Sequence, residues 1–123
     1  MHVAAISSLS GLMSNSDEFA RFKSSLVNWR TTKVEEETNK DLLYVPTAMY
    51  APNPVSTRTP GEIRRRARYD AKQKMNLLAK VLPCFSGEPR MLELDAPNMT
   101  EQTIRDALST AAYVYVDGGN TFY

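Results

Sequence analysis

Leu42-Leu43-Tyr44-Val45-Pro46 is the stretch on which the fold turns. Four consecutive apolar side chains without polar alternation, closed by a proline, form the pattern of a strand buried on both faces of a parallel sheet. Beyond it, Thr47 to Pro60 carries Pro52, Pro54 and Pro60 among small and polar residues. That composition predicts a long loop, without regular structure, at the strand's carboxyl end. From Gly61 to Leu82 the apolar residues Ile63, Ala67, Ala71, Met75, Leu78 and Leu82 recur mostly at four-residue steps, so one long helix is expected, stopped by Pro83. After the breaker run Pro83 to Pro89, Met91-Leu92-Glu93-Leu94 reads as a strand. Thr100 or Asn98 then caps a helix in which Ile104, Ala107, Leu108 and Ala111 keep a helical spacing, and Tyr113 to Val116 is the last strand.

Upstream of the decisive run, Thr31 to Lys40 is polar and charged apart from Val34 and reads as an exposed connection. Ser14, Asn15 and Ser16 are N-cap residues for a preceding helix, with Asp17 and Glu18 in its first turn and Phe19, Phe22, Leu26 and Trp29 along one stripe. Met1 to Ser8 reads as a strand through Val3-Ala4-Ala5-Ile6, closed by a turn at Ser7, Ser8, Ser10 and Gly11. The order is β-α-β-α-β-α-β, with connections short enough to be right-handed crossovers. The fold class expected is therefore α/β, a doubly wound and mainly parallel sheet in one domain, residues 1–123. In that architecture the loops around Ser7 to Gly11, Pro46 to Asn53, Asp95 to Asn98 and Asp117 to Thr121 share one rim, where a site is assembled.

Composition narrows the function classes. The chain has 123 residues, 42% apolar and 24% charged, which is enough for one domain with its own core. A formal net charge of +1 gives no global field for nucleic acid or an anionic membrane, and neither partner is expected. No apolar run approaches the roughly 20 residues that span a bilayer. Val3 to Ile6 is too short for a secretory signal core and lacks a basic flank. The single cysteine, Cys84, forms no internal disulfide and accords with a reducing compartment, so a cytoplasmic location is expected. With one cysteine and one histidine there is no thiol and imidazole cluster for a metal, and no metal or other cofactor is expected.

Each piece of candidate chemistry has a plain structural counterpart. Gly118-Gly119 lets the backbone approach a ligand and form an amide nest for an anion, or it makes an ordinary turn after a strand. No G-x-G-x-x-G follows the first strand and there is no Walker-type lysine motif. Arg64, Arg65, Arg66, Arg68, Lys72 and Lys74 read as the solvated face of the long helix, with Glu62 and Asp70 as helical-distance partners. Cys84 has no histidine near it in sequence, and His2 stands at the start of a strand, so neither reads as catalytic. Asp95 and Asp117, both at strand ends, either bind a substrate amine or cap their loops. Ser86 has only the trailing glycine of a G-x-S-x-G elbow and does not join a strand to a helix.

Val116-Asp117-Gly118-Gly119-Asn120-Thr121-Phe122 resembles the Gly-Gly-Asn-Thr-Phe segment of the peptidase E family of serine peptidases, the α-aspartyl dipeptidases. Leu42-Leu43-Tyr44-Val45-Pro46-Thr47-Ala48 resembles that family's second strand with its Pro-Thr-Ala, and the order of elements between the two segments is similar. The resemblance implies a class I glutamine amidotransferase-like, flavodoxin-like fold, present here as the amino-terminal part of a longer domain. It also implies hydrolysis of short peptides by a serine on a sharp strand-to-helix turn, a histidine base and an oxyanion pocket. The family's serine and histidine have no counterparts in this chain, which implies that the chain alone is inactive. What carries over is an oxyanion or substrate loop at Gly118, Gly119, Asn120 and Thr121, with Pro46, Thr47, Ala48 and Asp117 on the substrate rim. A side-chain oxyanion donor is worth about 3 kcal/mol of transition-state stabilisation. Asp117 departs from the family's usual glycine, and a carboxylate facing an oxyanion would oppose it; its side chain is expected to point away or to meet a substrate amine. The alternative is a non-catalytic α/β module that binds a small anion at the glycine loop, or associates with itself or a partner at an unfinished sheet edge.

Overall fold

The computed structural model describes residues 9–31, 41–51, 55–82 and 88–118. The chain divides into two compact units, one of Met1–Glu36 with Leu82–Cys84 and one of Glu37–Val81 with Phe85–Tyr123. The first contains α1 (Leu9–Ser14) and α2 (Ser16–Thr31). Asn15 separates them and caps α2, its Oδ1 accepting the Glu18 N–H at 3.1 Å, with Asp17 and Glu18 in the acidic first turn as expected. On α2, Leu26 is buried and Phe19 and Phe22 are half-buried, the stripe expected there; the Trp29 side chain lies outside the described residues. Gly11 was expected in a turn but lies within α1, where its carbonyl accepts the Ser14 hydroxyl at 2.8 Å. The strand expected over Met1 to Ser8 lies outside the described residues, as do positions 32–40 of the expected connection.

The second unit is built on β1 (Asp41–Val45), the run that opened the sequence reading. Its partners are β2 (Pro89–Met91) and β3 (Ala111–Val116), both parallel, in the order β2-β1-β3. Being central, β1 is covered on both faces, which is why it contains no polar alternation: Leu42 and Tyr44 are 0% exposed and Leu43 is 1% exposed. Leu43 and Val45 face a cluster completed by Leu92, Met99 and, on α4 (Glu101–Ser109), Ile104 and Ala107. On the opposite face the Tyr44 ring stacks on Tyr115 of β3, centroids 5.4 Å apart and planes 12° apart.

The long helix is α3 (Pro60–Val81), with Ala71 and Leu78 buried. Its start is a reciprocal cap: the Glu62 N–H donates to Thr59 Oγ1 at 3.3 Å and the Thr59 N–H donates to Glu62 Oε2 at 2.9 Å. Pro60 occupies the first helical position, where its missing N–H costs nothing. Thr100 caps α4 from one side, its Oγ1 accepting the Thr103 N–H at 3.1 Å.

Three expectations within the second unit need correction. Thr47–Tyr50 is a short 3₁₀ turn inside the expected irregular loop, closed by the Met49 N–H on the Pro46 carbonyl at 2.8 Å. The strand expected at Met91–Leu94 begins earlier, at Pro89, because its register is set by pairing Pro89, Arg90 and Met91 with Leu42, Leu43 and Tyr44. Proline is admitted as a strand's first residue, so the breaker there is also an entry. Ala111 was expected in the last helix but opens β3, since α4 already ends at Ser109. Near that end Arg90 Nη2 donates to the Ala107 carbonyl at 3.2 Å and to the Thr110 hydroxyl. Arg90 Nε lies 2.9 Å from Asp41 Oδ2 but off the hydrogen-bonding direction.

Candidate functional site

Because the three strands are parallel, their carboxyl ends meet at one edge, and the loops that leave them form the rim. Pro46-Thr47-Ala48 leaves β1, Leu92 to Asp95 leaves β2, and Asp117-Gly118 leaves β3. Backbone bonds carry the ladders slightly past the strand ends: the Leu92 N–H donates to the Tyr44 carbonyl at 2.8 Å and the Asp117 N–H to the Val45 carbonyl at 3.0 Å. Thr47 Oγ1 then accepts the Leu94 N–H at 2.8 Å, tying the first two loops together. Thr47 and Asp117 were both assigned to the rim from the sequence, and both stand there. Pro46 is fully buried beneath them, whereas Ala48 is half-buried.

Asp117 is the hub of the β3 end. Its side chain is 7% exposed, and it accepts the Tyr44 hydroxyl at Oδ2, the Lys74 ammonium at 3.0 Å on Oδ1 and 2.7 Å on Oδ2, and the Gly118 N–H at 2.9 Å on Oδ1. The Tyr44 phenol is held well above its ordinary range, first by burial and then by that bond to the carboxylate. Gly118 needs no left-handed backbone, and a Cβ built there meets nothing within 4 Å among the described residues. Gly119, Asn120 and Thr121 lie outside the described residues.

A second cluster sits at the β2 end. Arg64 donates to Asp95 at 3.1 and 3.2 Å and to Glu93 at 3.1 Å, while Arg68 holds Glu93 at 3.0 and 3.2 Å. The Arg64 guanidinium also covers the Tyr50 ring, 4.7 Å from its centroid. Burial first, and then Glu93, push the Tyr50 phenol upward; the bond to Asp95 raises Arg64. So the basic helix is not simply a solvated face. Glu62, expected as a helical partner of the arginines, is taken by Thr59, and Arg64, Arg68 and Lys74 turn to carboxylates at the strand ends. Asp95 is accordingly engaged with Arg64 and is not an open acceptor for a substrate amine.

Compared with known protein families, curated proteins and solved structures, the chain matches none. Among the described residues no group of acids, histidines and cysteines could hold a metal ion, and no helix is long and apolar enough to cross a membrane. Cys84, His2 and Ser86 lie outside the described residues.

Sequence reasoning missed Lys74, Tyr44 and Glu93. For Tyr44 a signal was present: a phenol within an otherwise aliphatic buried run needs an acceptor, and the carboxylate at the end of a neighbouring strand is the natural one. Nothing in the spacing of Lys74 and Asp117 announces their meeting, because it depends on where α3 crosses the sheet.

Proposed function

We propose that the carboxyl-edge rim is the substrate side of a peptidase E-like site for short peptides, with the backbone of the Gly118-Gly119 loop receiving the carbonyl oxygen under attack. The observation that carries this reading is a juxtaposition. The two segments that resemble the family, around Pro46-Thr47-Ala48 and around Asp117-Gly118, leave adjacent parallel strands at the same edge, with Val45 paired to Val116. The reading places Asn120 and Thr121 as loop supports or substrate contacts and gives the serine and histidine no counterparts within these 123 residues, which contain no G-x-S-x-G. The chain by itself is thus proposed to bind and not to hydrolyse. Titrating it with an aspartyl dipeptide while observing backbone amides tests this. Shifts should concentrate at Thr47, Ala48, Gly118 and Gly119, with no cleavage; absence of shifts at millimolar dipeptide would overturn the proposal.

One observation favours a second reading, a non-catalytic interaction module. Among the described residues β3 stands at one end of the sheet order, and Val114 and Val116 on it are 48% and 67% exposed. Exposed apolar side chains of that kind offer a contact to a protein partner.

A further inference from the structure

We infer that Lys74, Asp117 and Tyr44 form a clamp that fixes the first turn of the glycine-rich loop, in which Asp117 is a positioning residue and Lys74 cancels its charge; the inference rests on reading the rim as a ligand site. An ionised carboxylate offers about four lone-pair sites. Asp117 receives four hydrogen bonds from its own chain, two from Lys74 and one each from Tyr44 and Gly118. It has no site left for a substrate ammonium, so that role, left open by the sequence, passes out of consideration. Its side chain is neither turned to solvent nor offered to a ligand.

The donors differ in what they contribute. Tyr44 is the fixed point: it is 0% exposed and its ring is stacked on Tyr115, so its hydroxyl can hold the carboxylate in one place. Lys74 supplies charge. Without it a buried negative charge would stand beside amides whose proposed task is to face developing negative charge, and Coulomb repulsion at short range would weaken that task. The Gly118 N–H is itself committed to Asp117, which withdraws that amide from the oxyanion role. The clamp therefore narrows that role as well as explaining how a carboxylate is tolerated at this position.

The experiment uses the full chain and two readouts, the exchange rate of the Gly118 amide and the affinity for the dipeptide Asp-Leu. In Lys74→Met the Gly118 amide should exchange about tenfold faster and the affinity should fall about tenfold, the scale of one lost charge-assisted hydrogen bond. Lys74→Arg should restore both. Lys74→Met combined with Asp117→Asn should recover most of the affinity, because the charge that Lys74 cancels is gone; a merely structural role for Lys74 would leave the double variant as weak as the single one. Unchanged exchange and affinity in Lys74→Met, with β1 and β3 amides still dispersed, would overturn the clamp. If Lys74→Met fails to fold, the arginine and double variants decide by the same criteria. Where the parent chain binds no dipeptide, the substrate reading fails separately and the Gly118 exchange rate still decides the clamp.

Discussion

Tyr44 concentrates the energetics of the sheet in one side chain. Its ring contributes apolar burial at the centre of the sheet, and without Asp117 its hydroxyl would keep only a weak acceptor, the Met49 sulfur at 3.9 Å. Replacing it by phenylalanine keeps the ring and removes a donor from a carboxylate, so Tyr44→Phe should cost about 1–3 kcal/mol in a urea unfolding experiment. The same bond sets a pH dependence whose sign follows from the raised phenol. In the unfolded chain Tyr44 ionises near its ordinary 10.0, whereas the folded protein keeps the proton to higher pH. The contribution is complete below pH 10 and is lost as pH rises above it, so alkaline unfolding should be shallower in Tyr44→Phe than in the parent. Equal slopes above pH 10 in the two proteins would remove this account.

At the scale of elements, the caps show how far local sequence reaches. Asn15 and Thr100 cap the helices expected of them because capping depends on residues three apart, all of which are visible in the sequence. The Thr59 and Glu62 pair at the head of α3 is of the same kind, and Thr59→Ala should cost about 1 kcal/mol. Glu62 is held below its usual 4.5 by the bond from the Thr59 N–H. Its part in the cap is therefore present above pH 4.5 and lost as pH falls through the lower folded value; Glu62→Gln should flatten that acid limb of a stability profile. Strand boundaries were less legible. β2 is displaced from Met91–Leu94 to Pro89–Met91 because its partners on β1 choose the register, and no local pattern encodes that choice. The partners of Arg64, Arg68 and Lys74 escaped for the same reason: they lie on strand ends, and in sequence far from the helix that supplies the cations. Of the candidate site, the rim positions of Thr47 and Asp117 were legible as strand ends, whereas the hydrogen bonds that occupy Asp117 were not.

At the scale of the molecule, the sheet is asymmetric. At the β3 end of the order, Val114 and Val116 leave apolar side chains 48% and 67% exposed. Concentrated samples should therefore self-associate, and Val116→Lys should reduce association in sedimentation velocity while changing stability by only about 0.5 kcal/mol, as for other exposed sites. A chain that stays monomeric at high concentration, with the valines intact, would count against this apolar contact. The central position of β1 also has a consequence for how the protein is made. During synthesis β1 leaves the ribosome before either strand that pairs with it, and Leu42 must wait for Tyr113, Leu43 for Val114. The most buried segment of the sheet is thus the one that remains uncovered longest in the nascent chain, and it is there, rather than at the rim, that a chaperone would find its binding sequence.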